Sequence, residues 1–470
     1  MVASADRIWD LAVIGGGTAG LLAAKTAAGL GARVVLIESA RTGGDCLWTG
    51  CVPSKALQSA AASVAEARAA VRFGVDVGSI RVDFPRVMAH VRSAIETIAP
   101  DDSAEALEAV GVTVLPGRAR FTGPGRLTVG GAGVRFRQAL VATGSEPAVP
   151  AVPGLAEVSP LTTDTVWDLE ELPERLVVIG AGSSGCELGQ AFARLGSRVT
   201  LLETADRVLP AEDPDASAVI RDVLRADGVQ VITSARIERV RPGVVAHTGG
   251  GVEFDRLLVL AGRRPRTVGL GLEAIGVEVD GAGWIRVDGH LRTTAPRVWA
   301  AGDVTGTPLF THTAGVHGTI AAVNALLGPL RSVRTDGEPR VTFTRPEVAA
   351  VGVPTAGAST VQVRHDELDR AVAEAEVIGF SRLAIGRRGR IIGATVVGPR
   401  AGETIGELAV AVSQRLTTGD LAGVTHPYPT FSDGAWNAAV ADYRSRLGVP
   451  PARRLTGLLL RLRRRWVSRQ

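Results

Sequence analysis

Three stretches of this chain carry a readable alternation of apolar and polar blocks. Leu11-Ala12-Val13-Ile14 is an unbroken apolar run, Gly15-Gly16-Gly17-Thr18-Ala19-Gly20 follows it, and an alanine-rich segment continues to Leu30. The order predicts strand, glycine turn and helix, and Arg33-Val34-Val35-Leu36-Ile37 predicts a second strand ending at Glu38. The same order returns at Leu176-Val177-Val178-Ile179, Gly180-Ala181-Gly182-Ser183-Ser184-Gly185, a helix through Leu195, and a strand from Arg198 to Leu202 ending at Glu203. The third stretch lies after Pro450-Pro451. On a helix, Leu455, Leu458, Leu459, Leu462 and Trp466 fall within an arc of roughly 100°, with most arginines on the other side.

The first two stretches share one ruler, since 23 positions separate Gly15 from Glu38 and Gly180 from Glu203. Each reads as half of a Rossmann unit. The first glycine makes the tight turn, the second (Gly17, Gly182) lets a pyrophosphate approach the backbone, and the third (Gly20, Gly185) packs helix on strand. The helix N-terminus faces the anion, and the acid is placed for a ribose hydroxyl. Two dinucleotides are expected, one FAD and one nicotinamide. Glu203 would repel the 2′-phosphate of NADPH, so NADH is the expected donor.

The length of 470 residues, with 46% hydrophobic and 21% charged residues, is globular and long enough for about three domains. Met1 to Asp6 leads almost directly into the first strand, without the pattern of a secretory signal, so a cytoplasmic protein is expected. The net charge of +4 misleads: the last twenty residues hold seven arginines and no acid, which leaves the remainder at −3. Nucleic-acid binding gains no support from arginines confined to the tail. Lysine occurs twice, at Lys25 and Lys55.

Lys55 ends the run Gly43-Gly44-Asp45-Cys46-Leu47-Trp48-Thr49-Gly50-Cys51-Val52-Pro53-Ser54-Lys55. In a regular helix, Cα atoms five residues apart stand roughly 8.6 Å apart, beyond the reach of a disulfide. Gly50 permits a distortion and Pro53 suits a first helical turn, so Cys46 and Cys51 can face each other where regular structure begins. Spacing alone leaves inert packing and thiol chemistry both open. The third cysteine, Cys186, lies in the second glycine loop, so a zinc site is poorly supported and no metal is expected. In a cytoplasmic chain a bridge is usually transient and catalytic, which favours a redox pair.

Together with Ala142-Thr143-Gly144, Ala261-Gly262-Arg263-Arg264-Pro265 and Ala300-Ala301-Gly302-Asp303, these motifs resemble the flavin-dependent pyridine nucleotide-disulfide oxidoreductases, the class I family of dihydrolipoamide dehydrogenase, glutathione reductase and mercuric reductase. The resemblance implies an α/β fold with two Rossmann-like domains, for FAD and NAD, and a C-terminal α+β dimerisation domain. Its expected limits are residues 1–155 and 270–335 for FAD, 156–269 for the nicotinamide, 340–450 for dimerisation and 451–470 for a basic tail. It also implies a homodimer in which NADH reduces the flavin, the flavin opens a Cys46–Cys51 disulfide through Cys51, and Cys46 exchanges with a small-molecule oxidant. Lys55, paired with Glu187, would lie beside the flavin. The remaining flavin contacts would come from Gly44, Gly117, Thr143, Gly144, Gly262 and Asp303, and Cys186 would be packing.

The pattern breaks at His426-Pro427-Tyr428-Pro429-Thr430, where the disulfide reductases carry a second histidine as the proton carrier. Tyr428 stands in its place, and a phenol near pKa ~10 is a poor acceptor at neutrality. His426 matches the first histidine of the motif, and Asp433 takes the position of its glutamate. The tyrosine resembles mercuric reductase, but no cysteine follows Cys186 to deliver a soft metal. Two further readings stay open: a reductase of quinones or other diffusible acceptors with electrons leaving the flavin directly, and a redox sensor that does not turn over. For residues 453–466, contact with an anionic membrane, docking on the body and a solvated tail all fit.

Overall fold

The computed structural model describes residues 7–306, 308–353, 357–448 and 450–468. They form two compact bodies, one of the described residues within 1–206 and 224–333 and one of those within 207–223 and 334–470.

In the first body, strands Val112–Pro116, Val34–Glu38, Ile8–Ile14 and Ala132–Val141 lie side by side in that order; the far edge of the last pairs with Arg126–Val129 at its start and with Val298–Ala300 at its end. The pairing with Arg126–Val129 is antiparallel, and all the others are parallel. Such strands are covered on both faces, which is why their apolar runs are unbroken. Ala12, Ile14, Val35 and Ile37 point into one core, and Leu11, Val13, Val34 and Leu36 into the other. The distant strand Val298–Ala300 sets Asp303 just beyond the strand ends, beside the first glycine loop.

Helix Thr18–Gly29 packs closely on helix Thr311–Leu327, because both present small residues; a Cβ at Gly318 would lie 2.1 Å from the Ala19 carbonyl oxygen. A second parallel sheet orders Gln230–Ile232, Arg198–Leu202, Arg175–Ile179 and Arg256–Val259. It repeats the strand, loop and helix of the first, as the common ruler predicts.

The second body is built on an antiparallel sheet ordered Pro339–Thr342, Glu347–Gly352, Ile391–Gly398, Phe380–Ile385 and Ser359–Arg364. Helices Ala401–Ser413 and Asp433–Leu447 cover it through Ile405, Leu408, Ala435 and Ala438. This is the expected α+β arrangement. Residues Pro450–Val467 form a separate terminal helix, and no helix among the described residues is long and apolar enough to cross a membrane.

Candidate active site

The two glycine loops are nearly the same object. Gly15 and Gly180 have φ of +107° and +103°, and a Cβ there would strike the carbonyl oxygen of Ala142 at 2.3 Å or of Leu260 at 2.5 Å. A Cβ on Gly20 or Gly185 would lie 1.9 Å from the carbonyl oxygen of Gly15 or Gly180 respectively. The acids take part as well. Oε2 of Glu38 accepts from the Gly16 amide at 2.7 Å and Oε1 from the Ala40 amide at 2.8 Å. In the second copy Glu203 accepts from the Ala181 and Ala205 amides at 2.7 and 2.9 Å. Each acid therefore braces its own loop, a role that spacing alone did not reveal.

A cavity of about 770 Å³ opens beside the first loop. Gly15, Gly17, Glu38, Gly44 and Gly117 line it, and Thr143, Gly144, Asp303 and Cys46 complete the wall among the expected residues. Gly20 lies beneath the loop rather than on the wall, while Gly262 accepts the Ala148 amide through its carbonyl at 2.9 Å. Gly182 is the N-cap of helix Ser183–Leu195, in the second copy. Glycine at the wall leaves room for a ligand to meet main-chain N–H groups, and the N-terminus of helix Thr18–Gly29 adds a favourable dipole for phosphate. FAD fits this cavity.

A polar network along the wall was not foreseen. Arg263 pairs with Asp45 and its Nε donates to Ser145 Oγ at 2.6 Å; Ser145 in turn donates to Asp303 Oδ2 at 2.7 Å. Arg266 reaches the other Asp45 oxygen at 3.3 Å. Two guanidinium groups thus offset a carboxylate that would otherwise oppose a pyrophosphate. Arg263 lay inside a recognised motif, but only its glycine neighbour was singled out.

Cys46 and Cys51 belong to different helices. Helix Gly44–Trp48 stops, Thr49 and Gly50 leave helical geometry, and helix Cys51–Ala69 begins at the second cysteine. A Cβ on Gly50 would stand 2.8 Å from the Asp45 carbonyl oxygen, so the break tolerates no side chain. The indole of Trp167 fixes it further by donating to the Thr49 carbonyl at 2.9 Å. Across this break the two thiols come within hydrogen-bonding reach of each other.

Cys51 Sγ also lies 3.2 Å from Oγ1 of Thr311, a residue of the cavity wall and the first of helix Thr311–Leu327. Its pKa is lowered to about 6, chiefly by the hydrogen bond from Cys46, helped by Thr311 and by the charge of Lys55, against the cost of burial and of Glu187. The Cys46 thiol is pushed up by that same hydrogen bond, by burial and by the Cys51 charge. One thiolate and one thiol share the proton, and the thiolate belongs at Cys51, at the N-terminus of its own helix.

One turn on, Lys55 Nζ donates to Oε2 of buried Glu187 at 2.7 Å, and Gln58 Nε2 donates to the same oxygen at 2.7 Å. Cys51, Lys55 and Gln58 share a face at helical spacing. Gln58 carried no motif and was missed. Cys186, fully buried, donates to the Ala181 carbonyl at 3.3 Å, a packing role.

In the second body, Tyr428 is 72% exposed and its phenol donates to Asp369, which raises the tyrosine pKa above its ordinary value. His426 is fastened between acceptors, Nε2 at 2.6 Å from Glu407 and Nδ1 at 3.0 Å from the Val424 carbonyl. Asp433 Oδ2 accepts from the Thr430 amide at 2.9 Å, shaping the turn before its helix. Asp369 and Glu407 had no sequence signal.

Comparison with known proteins accounts for nearly the whole chain. Residues 9–318 match the family described as pyridine nucleotide-disulphide oxidoreductase, and residues 338–439 match its dimerisation domain. The chain belongs to the pyridine nucleotide-disulphide oxidoreductase family. This oxidoreductase is 37% identical to a mercuric reductase of Streptomyces lividans over 92% of its own length and 95% of that protein's. It is 36% identical to a dihydrolipoyl dehydrogenase of Thermus scotoductus, covering 94% and 99%. The crystal structure of LpdA from Mycobacterium tuberculosis superposes with a TM-score of 0.84 at 32% identity, covering 92% of this chain and 99% of that one. The oxidoreductase is an NAD(P)H-dependent flavoenzyme with an FAD site, and its dimerisation domain supports a homodimer.

Proposed function

We propose that this oxidoreductase takes electrons from NADH and delivers them through Cys46 and Cys51 to a small disulfide or another thiol-reactive oxidant. The observation that carries the reading is the placement of the two thiols: across a helix break and within reach of each other, with Cys46 in the wall of the FAD-sized cavity and Cys51 3.2 Å from Thr311 of that wall. FAD, when bound, supplies the two-electron step between nicotinamide and sulfur. Two electrons and one proton convert the disulfide to a Cys51 thiolate and a Cys46 thiol. The helix N-terminus, Thr311 and Lys55 hold that thiolate, and Glu187 with Gln58 fixes the ammonium. Cys46 then attacks the oxidant's disulfide and gives up its proton. The first substrate thiolate leaves with that proton. The Cys51 thiolate attacks the Cys46 sulfur of the mixed disulfide, the Cys46–Cys51 bond re-forms, and the second substrate thiolate leaves and takes a proton from water.

Glu203 supports NADH as the donor, because its carboxylate, held by two loop amides at the end of the second strand, would repel a 2′-phosphate. A second reading is favoured by one observation. The Tyr428 phenol donates to Asp369 and is no ready proton acceptor for a departing thiol. Electrons would then leave the flavin directly, to a quinone or another diffusible acceptor.

Turnover without oxygen, with lipoamide-type disulfides and a soluble quinone as acceptors, separates the two. Cys46→Ser is expected to abolish disulfide turnover while wild type sustains it with NADH at a higher kcat/KM than with NADPH. Turnover with the quinone alone, undiminished in the variant, would remove the cysteine route, and a preference for NADPH would remove the assignment to Glu203.

A further inference from the structure

Helix Pro450–Val467 stands outside both matched domains, the second of which stops at residue 439. We propose that this helix docks the enzyme on the surface of an anionic lipid bilayer. Leu458, Leu459, Leu462 and Trp466 share one face and are 48, 55, 54 and 50% exposed, so their own body does not cover them. A helix merely surrounded by water has no use for such a stripe. Arg453, Arg454, Arg461, Arg464 and Arg465 lie on the other side, which they share with exposed Leu460, and no acid occurs in the last twenty residues to neutralise them. The guanidinium of Arg463 lies over the Trp466 ring, 4.3 Å from its centroid, a pairing suited to the headgroup level, where a tryptophan keeps one side apolar and one side polar.

The helix is long enough to approach a bilayer's thickness but carries too many arginines to span it, so it lies in the plane of the surface. Charge selects the surface. The chain before its last twenty residues is at −3, so the net positive charge that attracts anionic headgroups is concentrated in this tail. A homodimer presents two copies, which strengthens weak contacts without any new one.

The full-length, FAD-loaded enzyme should co-sediment with phosphatidylcholine vesicles containing phosphatidylglycerol on the order of tenfold more than with phosphatidylcholine alone, and salt should weaken the binding. Two variants test the two faces: Leu458, Leu459, Leu462 and Trp466 to Ser, and Arg461, Arg463, Arg464 and Arg465 to Gln. Each is expected to lose vesicle binding by a similar factor while NADH oxidation in solution stays unchanged. Equal binding by wild type and both variants, or equal binding to the two vesicle types, overturns the proposal. So does retention on duplex DNA without vesicle binding, and so does a leucine face that changes only the oligomeric state.

Discussion

A thiol that titrates near 6 sits beside one that keeps its proton, and the difference is made by a handful of atoms. An acid whose folded pKa lies below its unfolded value stabilises the fold above the unfolded pKa and loses that contribution as pH falls through the folded one. For Cys51 the window runs from 9.0 down to about 6. Cys46 is shifted the other way and works against stability above its ordinary 9.0. The reduced protein should therefore gain stability from pH 6 to 9 and lose it above. Alkylation of Cys51 by iodoacetamide, followed by mass spectrometry, should show a midpoint near 6. Cys46→Ala removes the donor and should move the midpoint toward 9, whereas Cys46→Ser keeps a hydroxyl donor and should move it less. An unchanged midpoint in Cys46→Ala would show that the thiol pair does not set the acidity.

The helix break at Thr49 and Gly50 turns two residues that a continuous helix would hold apart into neighbours. Gly50→Ala puts a methyl group against the Asp45 carbonyl, and overpacking of this kind costs about 1–3 kcal/mol. A lower Tm and slower closure of the Cys46–Cys51 bridge on reoxidation are the expected results; normal closure would mean that the backbone moves aside easily. The demand for a break was legible beforehand, because helical rise and the reach of a disulfide are both local quantities. So were the glycine loops and their acids, whose spacing repeats. What remained hidden lies far away in sequence and has no period: Thr311 reaches Cys51 across 260 positions, and Arg263 reaches Asp45 across 218. The Asp369 partner of Tyr428 and the bracing of the loops by Glu38 and Glu203 were hidden too, since a carboxylate's partner depends on which amides the turn presents.

Each of the two bodies has its own apolar core, and only the first contains the cavity for FAD. Multidomain chains of this kind unfold in more than one step. Removing FAD should lower the transition of the first body alone, by about 2.7 kcal/mol relative to a hundredfold excess of cofactor over its Kd. A scan in which both transitions fall together would show that the bodies unfold as one. The whole chain has one more property, set by its reliance on arginine. Lys55, held against Glu187, is one of two lysines in 470 residues, and the other, Lys25, lies 3.7 Å from Asp102 on the FAD-binding body. Isotope-labelled lysine would thus place two ammonium reporters in the entire enzyme, one of them beside the sulfur pair, giving a nearly background-free spectroscopic view of that site through the catalytic cycle.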